Sequence, residues 1–429
     1  MAYTQTTKTG YGKRVGNSFR GIGLGLLLFV VATILLWWNE GRAVHTAQDI
    51  KEVGKTAVHV DDIQTVAPEG QLIHANGIAT TTDTVEDTFF GVKVNALSLI
   101  RQVEYYQWVE HSKTETKEKI GGSMEETTTY TYECEWVRKP VDSKNFHDPA
   151  YQGRNTAILV NNFEEETFYA SVVDFGAYKM PQSFIPEVSS CSERNNTVLN
   201  ISAEKLAELN ELVFKSQSLS NQVFNNVANA MTSSNGSDWV HVMGNQVYLG
   251  RSAGNPSVGD VRVTFLNSQP SAQISLIAVV EGRSFVDYKT KNESHERYIT
   301  SGKHTLEEMM QSAEHSNKVW TWVLRALGFI LVSLALKMIL GFIETLAKVL
   351  PFVSKIIGWG IGLICYVIGF AYSLIVIAIA WIYYRPILGI CLLAVAAGVG
   401  GGFIYLAISR KRQVNAAPTT EDPEFRTEE

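Results

Sequence analysis

Catalytic signatures are what this chain of 429 residues most plainly lacks. It has no G-x-S-x-G elbow, no phosphate-binding P-loop, no dinucleotide glycine pattern and no H-E-x-x-H zinc helix. Its nine histidines are scattered, and none sits three or four positions from another ligand type on a convincing helix. A zinc site wants a tighter set of His, Cys and Asp. Cysteine is scarce at four, and Cys365 and Cys391 fall inside apolar runs where they read as packing residues. A basic excess is missing too: the net charge is −6, and the basic residues that stand out flank the apolar runs, so nothing marks a nucleic-acid footprint. The Glu164–Glu166 run reads as a solvated face. No cofactor, metal or nucleic acid is expected, and an enzymatic reading has no motif behind it.

Long uncharged stretches are what the chain does have. Gly21–Trp38, Ile356–Tyr384 and Pro386–Ser409 carry no charge, and Val319–Leu340 carries only Arg325 and Lys337, each near one end. A helix rising ~1.5 Å per residue needs about 20 apolar residues to cross ~30 Å of hydrocarbon. These runs predict an α-helical membrane protein with four transmembrane helices and a large α+β (β-rich) extracytoplasmic domain. The expected order is a cytoplasmic N-terminus (1–20), a first span (21–38) and the extracytoplasmic domain (39–318). A second span (319–340), an interfacial helix or loop (341–355), a third span (356–384), a fourth (386–409) and a disordered cytoplasmic tail (410–429) follow.

Basic residues near the spans set the expected orientation. Lys8, Lys13, Arg14 and Arg20 precede the first span, Lys337, Lys348 and Lys355 lie between the second and third, and Arg410, Lys411 and Arg412 follow the fourth. Four crossings put all three groups on one side, so both termini are expected in the cytoplasm and the long loop in a periplasm or lumen. Trp37, Trp38, Trp320, Trp322, Trp381, Tyr383 and Tyr384 then form an outer aromatic belt, with Arg42 and Arg385 at the same interface. A cleaved signal peptide also starts basic and runs apolar, but no A-x-A site follows Trp38.

Gly341–Lys355 is too short and too charged to cross, and reads either as an interfacial helix or as an extension of the second span, with Pro351 a breaker for either one. Small residues recur at spacing that lets helices pack closely: Gly21/Gly25, Gly358/Gly362, Ala394/Gly398 and Gly398/Gly402. They fit packing within the bundle or self-association. No acidic residue lies within a span, which argues against an ion pathway, and Arg325 reads as a snorkelling side chain.

Between the first two spans the chain is rich in Thr, Val and Tyr with period-two stretches. Val103–Glu110 and Thr127–Val137 predict a long hairpin turning at Gly121-Gly122, and Trp239–Tyr248 a second one around Gly244-Asn245. Asp260–Leu266, Gln273–Val280 and Ser284–Tyr288 predict a meander. Ser202 is a candidate N-cap for a helix over Ala203–Phe214, and Thr305-x-x-Glu308 forms a capping box leading toward the second span. Cys134 and Cys191 are the candidate disulfide pair, although spacing alone does not bring them together. Sequons occur at Asn195, Asn200, Asn235 and Asn292. Tyr105, Tyr106 and Trp108 are candidate partner-binding residues, but alternate positions on a strand face the core, so burial competes with that reading.

Several fragments in order carry a family resemblance: Asn39-Glu40-Gly41-Arg42-Ala43, Val66-Ala67-Pro68-Glu69-Gly70 and the stretch from Val103 to Glu110. Ser143-Lys144-Asn145-Phe146, Val258-Gly259-Asp260-Val261-Arg262-Val263 and Tyr384-Arg385-Pro386 continue it. Together with the span layout, the chain resembles the transmembrane protein forty-three (LUMA) family over nearly its whole length. The resemblance implies a structural protein of the endoplasmic reticulum and inner nuclear membrane that self-associates and contacts lamins and emerin, with no catalytic residues. In a bacterium the equivalent place is the inner membrane. Cys134, Cys191 and the segment around Ala150–Ser220 depart from the relatives. Physically, Arg42 reads as reaching headgroup phosphates with Glu40 as its ionic partner, and Tyr384-Arg385-Pro386 as the turn between the third and fourth spans.

The expected function is a non-enzymatic multipass membrane scaffold that self-associates and organises membrane or envelope protein complexes. Its expected partners are the lipid bilayer, further copies of itself, and membrane or envelope proteins. A ligand-sensing receptor domain is the alternative, and a membrane-bound enzyme a more distant one.

Overall fold

The structure, a computed structural model, describes residues 2–155, 164–223, 239–347 and 351–387. Five α-helices occur among them: α1 (Tyr11–Thr56), α2 (Ile185–Ser190), α3 (Ala203–Val223), α4 (Leu306–Ala347) and α5 (Pro351–Tyr384). The strands that matter below are β1 (Tyr3–Thr9), β2 (Val58–Val60), β3 (Leu72–Thr80), β4 (Ser98–Glu118) and β5 (Met124–Val137). They continue with β6 (Val240–Met243), β7 (Gln246–Leu249), β8 (Val261–Ser268), β9 (Ser271–Glu281), β10 (Ser284–Val286) and β11 (Tyr298–Ser301). The chain divides into a strand-rich unit (1–15, 47–316 and 347–354) and a helical unit (16–46, 317–346 and 355–429).

Three helices among the described residues are long and apolar enough to cross a membrane: Tyr11–Thr56, Leu306–Leu346 and Gly360–Tyr384. The expectation of four transmembrane helices attached to a separate domain is thereby corrected. Apart from Pro386 and Ile387, the expected fourth span lies outside the described residues, as do its Ala394, Gly398 and Gly402 and the basic tail. Nor do the helices end where the apolar runs end. α1 passes through the expected boundary at residue 39 and continues to Thr56, and α4 begins well before Val319. Hydropathy reports where a bilayer fits. Once a helix has started, each further residue needs only ordinary propensity to extend it, and Asn39–Thr56 contains no proline to stop it. Likewise α4 runs on to Ala347 and α5 starts at Pro351, so Gly341–Ala347 extends the second span's helix.

In the strand-rich unit an eight-stranded sheet runs β1-β5-β4-β8-β7-β6, with Arg194–Asn196 beside β8 and Glu166–Tyr169 beside β4. Alternation explains β8: Val261, Val263 and Phe265 are buried while Arg262, Thr264 and Leu266 are half-exposed. β4 and β5 form the long hairpin, in register from Tyr105 opposite Val137 to Glu118 opposite Met124. Gly121 and Gly122 turn it at φ of 92° and 78°, a region that favours glycine. The second sheet has seven strands and is built on β3 and β9, with β10 and β11 beside β9 and β2 parallel to β3 over three residue pairs. One apolar core joins the two sheets, taking Val103, Val263 and Phe265 from the first and Ile73, Ala75, Ile274 and Leu276 from the second.

β1 is a strand that the sequence reading missed. It pairs antiparallel with β5 from Tyr3 opposite Tyr130 to Thr9 opposite Met124. Just beyond it Arg14, only 8% exposed, bonds the Glu118 carboxylate at 2.6 Å and the Gly122 carbonyl at 2.9 Å. Its sequence, YTQTTKT, has no apolar alternation to announce a strand, and only the waiting edge of β5 explains it.

The candidate disulfide does not form: Cys134 and Cys191 are both free thiols. Cys134 lies on β5 opposite Trp108, whereas Cys191 caps the C-terminus of α2. Each is held by its own element, and neither needs the other for anchoring.

Candidate functional site

In the helical unit, α1, α4 and α5 converge on one carboxylate. Glu40 is 2% exposed, and its two oxygens accept from Arg325 Nε at 2.6 Å and from an Arg325 terminal nitrogen at 2.7 Å. Trp381 Nε1 donates to the same carboxylate at 2.7 Å. The Arg325 guanidinium also lies 4.9 Å from the Trp322 ring centroid and 5.5 Å from that of Trp381. A forked guanidinium matches a carboxylate in two parallel bonds, and an aromatic face further favours its charge.

This corrects two sequence readings. Arg325 does not simply snorkel, because its charge is neutralised inside the bundle by a residue of α1. Glu40 does not pair with Arg42 either, since Arg325 and Trp381 take up its carboxylate. Arg42 instead donates to Asn317 Oδ1 at 3.0 Å, Thr321 Oγ1 at 3.0 Å and Asn39 Oδ1 at 3.3 Å. Its Nε is buried without a hydrogen-bond partner among the described residues. Asn39 and Asn317 complete the lattice by donating to the Thr321 carbonyl at 3.1 Å and the Ala43 carbonyl at 3.0 Å. Every one of these bonds except that of Arg42 to Asn39 joins two helices.

The fragments Asn39–Ala43 and Tyr384–Pro386 also meet here. A Cβ added at Gly41 would come within 2.7 Å of the Tyr384 ring, so any larger residue there has to displace that ring. Trp37 lies 5.8 Å from Tyr384 and 5.6 Å from Tyr383, centroid to centroid. Trp38, Trp320, Trp322 and Tyr383 are exposed on the helices, while Trp37, Trp381, Tyr384 and Arg385 are half-buried. Below them Ala32, Leu36, Val332 and Val376 pack as an apolar layer. At Gly25 a Cβ would lie 2.8 Å from Ile339 and 3.0 Å from the Ala335 carbonyl, so this small residue seats α1 on α4.

The aromatic stripe on β4 divides as its strand requires. Tyr105 is buried in the core, and Tyr106 is half-buried with its ring 5.2 Å from Trp136. Trp108 is half-buried with its ring 4.9 Å from Tyr151, in a small cluster with Tyr130, Tyr132 and Phe146.

The strand-rich unit also holds a cavity of about 540 Å³ lined by His59, His74, Asn76, Lys303, His304 and the first turn of α4. His74 is 1% exposed. Its Nδ1 lies 2.8 Å from His59 Nδ1, and its Nε2 lies 3.0 Å from the His304 carbonyl. Ser275 Oγ accepts from the His304 backbone N–H at 2.8 Å, and its one hydroxyl hydrogen serves either Asn76 Oδ1, 2.5 Å away, or the Gly302 carbonyl, 2.9 Å away. The capping box closes as its sequence suggests, with Thr305 N bonded to Glu308 and Glu308 N to Thr305 Oγ1. No group of three or more metal-ligating side chains converges among the described residues. Sequence reasoning missed the histidine cluster because it is assembled from three separated segments.

A family model described as Transmembrane protein 43 matches residues 105–386. The chain is 27% identical to the mouse protein "Transmembrane protein 43", over 90% of this chain and 89% of the relative. It is also 27% identical to the human protein of that name, over 89% of each chain. With "Transmembrane protein 43 homolog" of Drosophila melanogaster it shares 24% identity over 87% of this chain and 91% of the relative. No solved structure matches.

Proposed function

The chain belongs to the Transmembrane protein 43 family and is an integral membrane protein, and from that premise we propose that it is a non-enzymatic membrane scaffold. It self-associates and organises membrane or envelope protein complexes through its strand-rich unit. The Glu40–Arg325–Trp381 clamp carries this reading. A buried carboxylate taken up by Arg325 and Trp381 is arranged to hold three helices in place, and it is not left over for a substrate. The long hairpin adds exposed polar surface beyond the core, with Ile120 at its tip 86% exposed, and offers partners a reachable arm.

Two observations on orientation pull apart. The basic residues around the apolar runs support cytoplasmic termini, whereas the pairing of β1 with β5 joins the N-terminal strand to the hairpin that follows the first span. Compartment follows host: the endoplasmic reticulum or inner nuclear membrane, or a bacterial inner membrane.

Crosslinking of the tagged full chain in its native membrane, then gentle solubilisation, sizing and mass spectrometry, tests the scaffold. A reproducible homo-oligomer with stoichiometric membrane-protein partners is expected. A monomer with no enriched partner overturns the reading. The second reading, a ligand-sensing domain, is favoured by the histidine-lined cavity, whose volume falls in the range of small-molecule sites.

A further inference from the structure

We propose that the His59–His74 pair is a latch that holds β2 on β3 while a single hydrogen bridges its two Nδ1 atoms, and that lets β2 go when a second proton enters. The latch stands independently of the scaffold reading, because it needs no partner protein.

The hydrogen positions follow from the neighbours. His74 Nε2 faces the His304 carbonyl at 3.0 Å, and a carbonyl only accepts, so Nε2 carries hydrogen. Neutral His74 therefore presents a bare Nδ1. At 2.8 Å, His59 Nδ1 must supply the one hydrogen between them. His59 Nε2 lies 3.2 Å from the exposed Asp61 carboxylate, so His59 can also take a proton there and become imidazolium without disturbing the bridge. The pair thus tolerates a total charge of zero or one. A second proton has only His74 Nδ1 to occupy, where two N–H groups and two cations then face each other.

Burial opposes that second proton, and the neighbouring His59 adds to the effect, so His74 titrates below the ordinary histidine range. The other charged groups facing the pair are Asp61 after β2, Lys303 before α4, and Glu307 and Glu308 on its first turn. The carboxylates favour the protonated pair and Lys303 opposes it. His304 Nδ1 lies 3.7 Å from the Glu308 carboxylate.

The sign is fixed by linkage. With His74 depressed in the folded state, the released form binds more protons than the latched one. Latch stability is complete above the ordinary histidine value of about 6.5 and falls as pH drops through the lower folded value. The strand at stake is small, three residue pairs at the C-terminal end of α1, so one hydrogen bond is a large share of its attachment. The expected response is local: β2 frees itself and the adjoining cavity opens, while Ile50 and Val53 of α1 stay packed on Met309 and Met310 of α4.

The test uses the full chain in lipid nanodiscs, across a series from about pH 8 to about pH 5. Histidine C2–H exchange read by mass spectrometry gives the midpoints of His59 and His74, and amide exchange corrected for its intrinsic pH dependence gives protection of Val58–Val60. Expected are a His74 midpoint below the ordinary histidine value, and protection of β2 falling on the order of tenfold on acidification. In His59→Gln the His74 midpoint rises and the acid response of β2 flattens, because the second charge is gone. His304→Gln leaves both unchanged, since the backbone groups that hold the network remain. An unmoved His74 midpoint in His59→Gln, or an equal acid response in wild type and that variant, overturns the latch. Loss of the response in His304→Gln would assign it to His304 and overturn the proposal as well.

Discussion

Glu40 and Arg325 stand 285 positions apart in sequence and meet through two hydrogen bonds of 2.6 and 2.7 Å in the interior of the helical unit. Each is the other's neutralising partner, with the Glu40 side chain 3% and the Arg325 side chain 15% exposed. Glu40→Gln or Arg325→Met is therefore expected to destabilise the protein by about 3 kcal/mol, because the surviving charge is left buried and unpaired. The double variant is expected to lose clearly less than the sum of the two single losses. Thermal unfolding of the detergent-solubilised protein measures this, and additive losses would show that the pair is not coupled.

A close helix approach makes a second expectation. Gly25→Ala forces a methyl against Ile339 and the backbone carbonyl of Ala335, and Gly41→Ala forces one into the Tyr384 ring. Each should cost about 1–3 kcal/mol by overpacking. Gly23→Ala, with nothing within 4 Å of the added carbon, is the control and should be neutral or slightly stabilising. Equal melting temperatures for all three would contradict the seating of α1 on α4.

The pairing of β1 with β5 is open to a covalent test. Thr6 and Thr127 are directly opposite, with hydroxyls 3.4 Å apart. Thr6→Cys with Thr127→Cys is expected to form a disulfide within one chain under mild oxidation in membranes, visible as a mobility shift that reductant reverses. Formation would place the N-terminal strand and the hairpin on one side of the bilayer. Absence of the bond, with both cysteines accessible from opposite sides, would restore the orientation that the flanking charges suggest.

Cys134 and Cys191 are expected to take up an alkylating reagent in denaturant without prior reduction, giving full labelling at both by intact mass and peptide mapping. In the folded protein at neutral pH both should react slowly, because burial pushes their thiols above the ordinary range and the thiolate is the reactive form. A peptide linking the two would reverse the assignment.

Much of the local structure was legible. The Gly121-Gly122 turn, the Gly244-Asn245 turn, the Ser202 cap and the Thr305–Glu308 box are short-range devices, and each appears where its residues stand. α3 nonetheless runs to Val223, beyond the expected Phe214, since nothing in its polar continuation breaks a helix. The functional clusters were illegible for the opposite reason. Arg325 looked like a snorkelling residue because its partner lies on another helix, and His59, His74 and His304 looked scattered because three separate segments bring them together.

The sequence by itself determined that this is a membrane protein with apolar helices and an alternating, strand-rich remainder, because bilayer thickness and the two-residue period of a strand act on neighbouring residues. Its family membership was readable in the same way, from fragments in order. Only the tertiary structure decided how far each helix runs, that β1 completes a sheet, that Cys134 and Cys191 stay apart, and which carboxylate holds Arg325. Those outcomes depend on which distant groups can satisfy one another once water is excluded, and no local pattern encodes that choice.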